Sequence, residues 1–98
     1  MQVILTAYDG KGMLEKRMQV RPRHLENLGQ IKGKILCAGG LLDEEGSMKG
    51  SVMVMEFDHP DDFDAYLKSE PYIQEKVWER IEIEKMNVVI VNGEKVGK

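Results

Sequence analysis

The chain has 98 residues, of which 42% are hydrophobic and 32% charged, a length for one small domain and a balance that excludes a second module and a disordered or fibrous chain. Fourteen Lys and Arg against seventeen Asp and Glu give a net charge of −3, and no basic run exceeds the Lys16-Arg17 pair, so a nucleic-acid partner lacks the positive footprint it needs. No apolar run approaches the roughly 18 residues of a membrane span and Met1 to Thr6 carries no basic region or cleavage site, so neither a span nor a secretory signal is expected.

Val3-Ile4-Leu5-Thr6-Ala7-Tyr8 predicts a first strand over residues 2–8, closed by the turn residues Asp9-Gly10-Lys11-Gly12. Met13 to Lys32 is helical in pattern, but Pro22 removes a ladder hydrogen bond and clashes with the preceding turn. The expectation is therefore two helices, over 13–19 and 22–32, with Pro22 opening the second and Gly33 ending it. On that second helix His24, Leu25, Leu28 and Ile31 share one face and Arg23, Glu26, Asn27 and Gln30 the other, so a histidine stands on the packing side. Lys34 to Leu42 reads as a second strand, weakened or bulged at Gly39-Gly40, with Cys37 a small buried hydrophobe that suits a reducing cytosol.

Asp43 to Gly50 is a polar connection, and Ser51 to Asp58 a third strand. Met53, Met55 and Phe57 lie on one of its faces, yet Val52 and Val54 on the other are apolar too. Two helices can cover one face, and a second subunit is the expected cover for the other, consistent with the marginal stability of so short a domain. His59-Pro60-Asp61-Asp62-Phe63 opens a helix that runs to Lys68. Pro71 then pushes Glu70 out of the helical region, ahead of a short turn over 71–77. Val77 to Lys85 is a fourth strand, Asn87 to Val91 extends it or forms a fifth, and residues 92–98 are expected to be loose.

The order β-α-β-β-α-β predicts a single α+β domain of ferredoxin-like topology, an antiparallel sheet with both helices on one face. An iron–sulfur protein is excluded by the single cysteine, and an RNA-recognition domain by the lone aromatic, Phe57, on strand three.

Several residues bear chemistry. His24, in an opening turn whose backbone N–H groups disfavour imidazolium, is a candidate base; the alternative is a core histidine bonded to a carbonyl. Glu70 at the pre-proline kink could orient that imidazole or simply cap the turn holding Tyr72 and Ile73. Tyr72 offers a hydroxyl to a ligand or serves as a buried anchor. Ser51 beside Gly39-Gly40 offers a hydroxyl and bare backbone, and otherwise marks a bulge and a turn exit. Arg21 is a candidate anion binder, or an ordinary ion-paired arginine. His59 with Asp58, Asp61, Asp62 and Asp64 fits no metal spacing, and the seven methionines read as core filler.

The run Leu14-Glu15-Lys16-Arg17 through Arg21-Pro22-Arg23-His24-Leu25 resembles the L-E-K-R…R-P-x-H-L pattern of the YciI-like (YCII-related) family. Ala38-Gly39, Gly50-Ser51 and Ser69-Glu70-Pro71-Tyr72 follow in the same order, the last where the family has D-P-Y; the likeness covers residues 2–86. The resemblance implies a dimeric α+β barrel, formed as a homodimer through the sheet, with a His-Asp pair in a small-molecule pocket and no cofactor. It places His24 as general acid/base, Glu70 at the aspartate position, and Ser51, Gly39 and Tyr72 in the lining. It further implies proton transfer on a small cyclic, enol or quinol substrate, as in dehydrochlorination of a chlorinated hydroxyquinol or isomerisation of lactones. A non-catalytic ligand-binding or interaction module and a dimeric-barrel monooxygenase are the rivals. Glu75-Lys76 replaces a small A-G pair, so a bulkier, more polar pocket wall is expected.

Overall fold

The computed structural model describes residues 1–98. Strand β1 (Gln2–Asp9) buries Val3, Leu5 and Ala7, the alternate residues that a pleated strand sends to one face. Helix α1 (Leu14–Leu28) follows, then β2 (Lys34–Leu42) and β3 (Met48–Glu56). β3 runs antiparallel to β1 with Val3 opposite Met55, Leu5 opposite Met53 and Ala7 opposite Ser51. Helix α2 (Pro60–Ser69), the one-turn helix α3 (Pro71–Gln74) and β4 (Trp78–Lys85) complete a sheet of order β2-β3-β1-β4 with the helices on one face. This is the expected ferredoxin-like α+β arrangement.

The core lies between sheet and helices. Leu5, Met53 and Met55 are fully buried there with Phe57, Tyr66 and Tyr72, and burying an aliphatic side chain of this size contributes about 1.5–3 kcal/mol. Gly50 sits where β3 crosses β1, and a Cβ there would overlap the Ala7 carbonyl oxygen. The central strands can approach at the cavity end of the sheet only because that residue has no side chain. No helix is long and apolar enough to cross a membrane.

Several details depart from the sequence reading. α1 is one continuous helix through Pro22 and ends at Leu28, before Gly29 rather than Gly33. Pro22 is exposed, so water can reach the carbonyl that loses its hydrogen bond and the break in the ladder is tolerated. His24 is therefore ten residues into the helix instead of in an opening turn. Leu25 is 48% exposed, while Asn27, expected on the solvent side, donates to Ser69 Oγ at 3.0 Å. β3 begins at Met48 rather than Ser51, and Phe57 continues its buried row.

Cys37 is exposed rather than buried, because β2 is an edge strand bulged between Ile35 and Cys37 and the thiol stands on the helix-free face. Residues 92–98, expected loose, turn back: β5 (Ile90–Val91) and β6 (Glu94–Lys95) form a hairpin about Asn92-Gly93. Both turn residues have positive φ, 52° and 78°, the type I′ geometry that Asn-Gly favours. The preceding Val88 is buried and borders the Val54 side of the sheet. Part of the face reserved for a second subunit is thus covered by the chain itself.

Candidate active site

Along α1 the buried residues are Arg17, Val20 and His24, the three- and four-residue steps that keep a helix's inward stripe on one line. The stripe faces β2, β3 and α3 across a cavity of about 130 Å³, whose lining includes Arg17, Arg21, His24, Gly39, Ser51 and Tyr72.

The deepest contact joins His24 to Glu70, with Nδ1 2.5 Å from Oε1. Glu70 is completely buried and lies between α2 and α3, its backbone extended at φ −69°, ψ 114° as a residue before proline requires. Oε1 also accepts from the Tyr66 hydroxyl at 2.8 Å, and Oε2 accepts from the Tyr72 backbone N–H at 3.2 Å. Glu70 is thus helix cap and imidazole partner at once, and three donors fix its carboxylate. Because an acceptor faces Nδ1, that nitrogen carries the ring proton. Nε2 has no partner in the chain, and it is the nitrogen left for the cavity. The imidazole stacks on the Tyr72 ring at 4.2 Å and 23°, which holds its plane. Burial, reinforced by the adjacent Glu70, pushes the Tyr66 hydroxyl far above the ordinary tyrosine value, so it remains a donor.

Two turns earlier, Arg17 makes a different kind of contact. Its Nη1 lies 2.9 and 3.1 Å from the two Asp9 carboxylate oxygens and its Nη2 donates to Ser51 Oγ at 2.8 Å, while its guanidinium sits 4.7 Å from the Tyr72 ring centre. Both partners of the ion pair are almost fully buried. Burial raises Asp9 above the usual carboxylate value, and Arg17 opposes the rise. Since Ser51 Oγ accepts from Arg17, its own O–H remains free to donate. The Tyr72 hydroxyl is buried without a hydrogen-bond partner; burial raises it, against the pull of Arg17 and Arg21, so it too stays protonated.

The structure gathers His24, Ser51, Gly39, Tyr72 and Arg21 around one cavity and sets Glu70 behind His24. The extra methylene of glutamate over aspartate does not prevent the contact. Gly39 contributes backbone only: it pairs with Val52 on the helix-free face, whereas Gly40 pairs with Ser51 on the cavity side. The bulkier wall expected from Glu75-Lys76 is absent, since neither residue lines the cavity and Glu75 lies 3.9 Å from Lys16 and 3.7 Å from Arg23. Sequence reasoning missed Arg17 and Asp9. The signal was the seven-residue interval from Arg17 to His24, two helical turns, hidden by splitting the helix at Pro22. No group of three or more His, Cys, Asp or Glu side chains converges as a metal site would require.

Protein YciI of Escherichia coli O6:H1 is 30% identical over 91 residues, covering 85% of this chain and 93% of that protein. Aspercryptin biosynthesis cluster protein B of Emericella nidulans is 31% identical over 80 residues, 72% of this chain, and the chain spans only 51% of its length. The solved structure of 5-chloro-2-hydroxyhydroquinone dehydrochlorinase from Burkholderia phenoliruptrix AC1100, in complex with 2,5-dihydroxybenzoquinone, is similar with a TM-score of 0.77 at 23% identity, covering 88% of this chain and 93% of that one. At that identity the likeness is one of fold. The YCII-related domain is matched over residues 1–87, nearly the whole of the helix-and-sheet body that builds the cavity, and the chain belongs to the YCII-related family.

Proposed function

We propose that this protein is a cofactor-free acid/base enzyme of the lyase or isomerase type, acting on a small cyclic, enol or quinol substrate. The observation that carries the reading is the 2.5 Å His24–Glu70 contact, which leaves Nε2 toward the cavity. In the proposed cycle Nε2 takes a proton from a ring carbon or hydroxyl, and the imidazolium that forms is held against the Glu70 carboxylate. The bonding electrons move into the ring system toward an oxygen that the Ser51 hydroxyl can meet as a donor. His24 then returns the proton to another atom, completing an isomerisation. In an elimination, a leaving group such as chloride departs with its bonding pair and His24 releases the proton to water. The dehydrochlorinase of similar fold, bound to a dihydroxybenzoquinone, supports a ring substrate of this class.

The working unit we propose is a homodimer joined through the helix-free face. An apolar groove there of about 490 Å³, bordered by Leu36, Val54, Met86, Val88, Ile90 and Val91, supports this; sedimentation at micromolar concentration should give a dimer, and a monomer would remove the proposal. The single cysteine supports a reducing, cytoplasmic setting. The catalytic reading is tested by offering chlorinated hydroxyquinols, cyclic enols and lactones to the protein in D2O and following solvent exchange and turnover. His24→Ala should lose about 10²- to 10⁴-fold on any accepted substrate. Equal turnover by His24→Ala would overturn the assignment and favour a ligand-binding module.

A further inference from the structure

The charges around the cavity are unequal in a way that bears on what enters it. No Asp or Glu lines it. The Arg17 charge is neutralised at 2.9 Å by Asp9, and Glu70 lies behind the His24 ring with its oxygens taken by three donors. Arg21 also lines the cavity, is half-buried, and unlike Arg17, Arg23 and Lys16 makes no ion pair in the chain. Beside it the Tyr72 hydroxyl, in a residue with no exposed surface, has no hydrogen-bond partner. A buried hydroxyl left unpaired is destabilising, and a half-desolvated guanidinium favours an anion over water. Both deficits are relieved by one negatively charged oxygen.

Size narrows the ligand further. The cavity holds about 130 Å³, close to the roughly 150 Å³ that accommodates benzene in an engineered protein core. We infer that the ligand is a single-ring monoanion, a carboxylate or an ionised ring hydroxyl, whose charge is met by Arg21 and the Tyr72 hydroxyl. Arg21 is then the residue that sets charge specificity, and Arg17 is a positioning residue that holds Ser51 and the Tyr72 ring. The inference rests on the cavity being the substrate site proposed above and adds its charge selectivity.

Benzoate and benzamide, matched in shape and differing in charge, are the probes. Titrated into the full-length protein and followed by isothermal calorimetry and by the backbone amide signals of Ser51 and Tyr72, benzoate should bind at least about tenfold more tightly. Arg21→Gln should bring the two within about twofold of each other with an unchanged melting temperature, because Arg21 pairs with nothing in the chain, and Arg21→Lys should keep most of the preference. Equal binding by the wild type, a preference that survives Arg21→Gln, or no response to either probe at millimolar concentration would each overturn the inference. Turnover by His24→Ala, measured beside the wild type's benzoate preference, separates this from the catalytic reading. Lost selectivity with His24-dependent turnover retained removes only the charge assignment; selectivity retained with His24-independent turnover removes only the catalytic one.

Discussion

Arg17 and His24 stand two turns apart on one face of α1, and each meets a carboxylate from another element. In the Arg17–Asp9 pair the donors that reach a partner are used within the protein, two contacts on Asp9 and one on Ser51. In the His24–Glu70 pair one ring nitrogen is used and the other is left toward the cavity. Burial and a partnered charge are common to both, so neither distinguishes scaffold from chemistry. An atom with proton-transfer capacity left unsatisfied in a cavity does.

The largest loss is expected from Arg17→Met, which strands Asp9 as a buried carboxylate and should cost about 3–5 kcal/mol in urea denaturation. Burial already holds Asp9 above its ordinary 3.8 with Arg17 opposing, so removing Arg17 lifts it further. A carboxyl with a raised folded value contributes stability fully below its unfolded value and loses it as pH rises through the folded one. Arg17→Met should therefore recover stability on acidification from pH 7 toward 5; a loss on the same acidification would contradict the account.

Glu70→Gln acts on the other pair. It supplies one acceptor oxygen where three donors converge and should cost about 1–3 kcal/mol in stability. Turnover on any accepted substrate should fall by about 10²-fold or more, because the imidazolium formed by proton removal loses its counter-charge. Stability lost without turnover lost would place this pair with the scaffold.

A smaller effect appears at alkaline pH. The Tyr66 hydroxyl is pushed up by burial and by Glu70, so above pH 10 the unfolded chain releases a proton that the folded chain retains. Stability should fall there by about 1.4 kcal/mol per pH unit on account of this group, and Tyr66→Phe should show a shallower decline in the same denaturation series. Least disturbing are changes away from both pairs. Lys76 holds a left-handed φ of 59°, so Lys76→Gly should gain about 1 kcal/mol, whereas Gly39→Ala, where a Cβ meets nothing, should stay within about 0.5 kcal/mol of the parent in thermal melts.

The strands were legible because Val3, Leu5, Ala7 and Met53, Met55, Phe57 recur at every second residue within short β-rich runs, even with Ile4, Val52 and Val54 apolar on the opposite face, and β-α-β-β-α-β admits few packings. His24 and Glu70 were legible as candidates, one a histidine on an apolar stripe, the other a carboxylate before proline. Their pairing was expected through the family resemblance rather than from spacing, since 46 residues separate them and the packing of α1 against α3 closes the gap. Arg17 was obscured by the rule that proline ends helices: with Pro22 on the exposed side the helix runs through, and a charged residue assigned to a separate short helix falls in line with His24 and bonds both Asp9 and Ser51. Cys37 was misjudged for the converse reason, because an apolar run reads as buried until the sheet order shows it on an edge strand. The Asn92-Gly93 hairpin carried its signal in two residues, with strands too short to register as alternation.

The proposed chemistry depends on His24 presenting an unprotonated Nε2 to the cavity while Nδ1–H is held by Glu70. A two-bond proton–nitrogen NMR correlation of the histidine rings at pH 8 reads the tautomer directly, and Glu70→Ala provides the control. The account predicts a His24 pattern with the proton fixed on Nδ1, giving way to the ordinary mixture in Glu70→Ala. A wild-type His24 protonated on Nε2, or averaging freely between the two nitrogens, would contradict it.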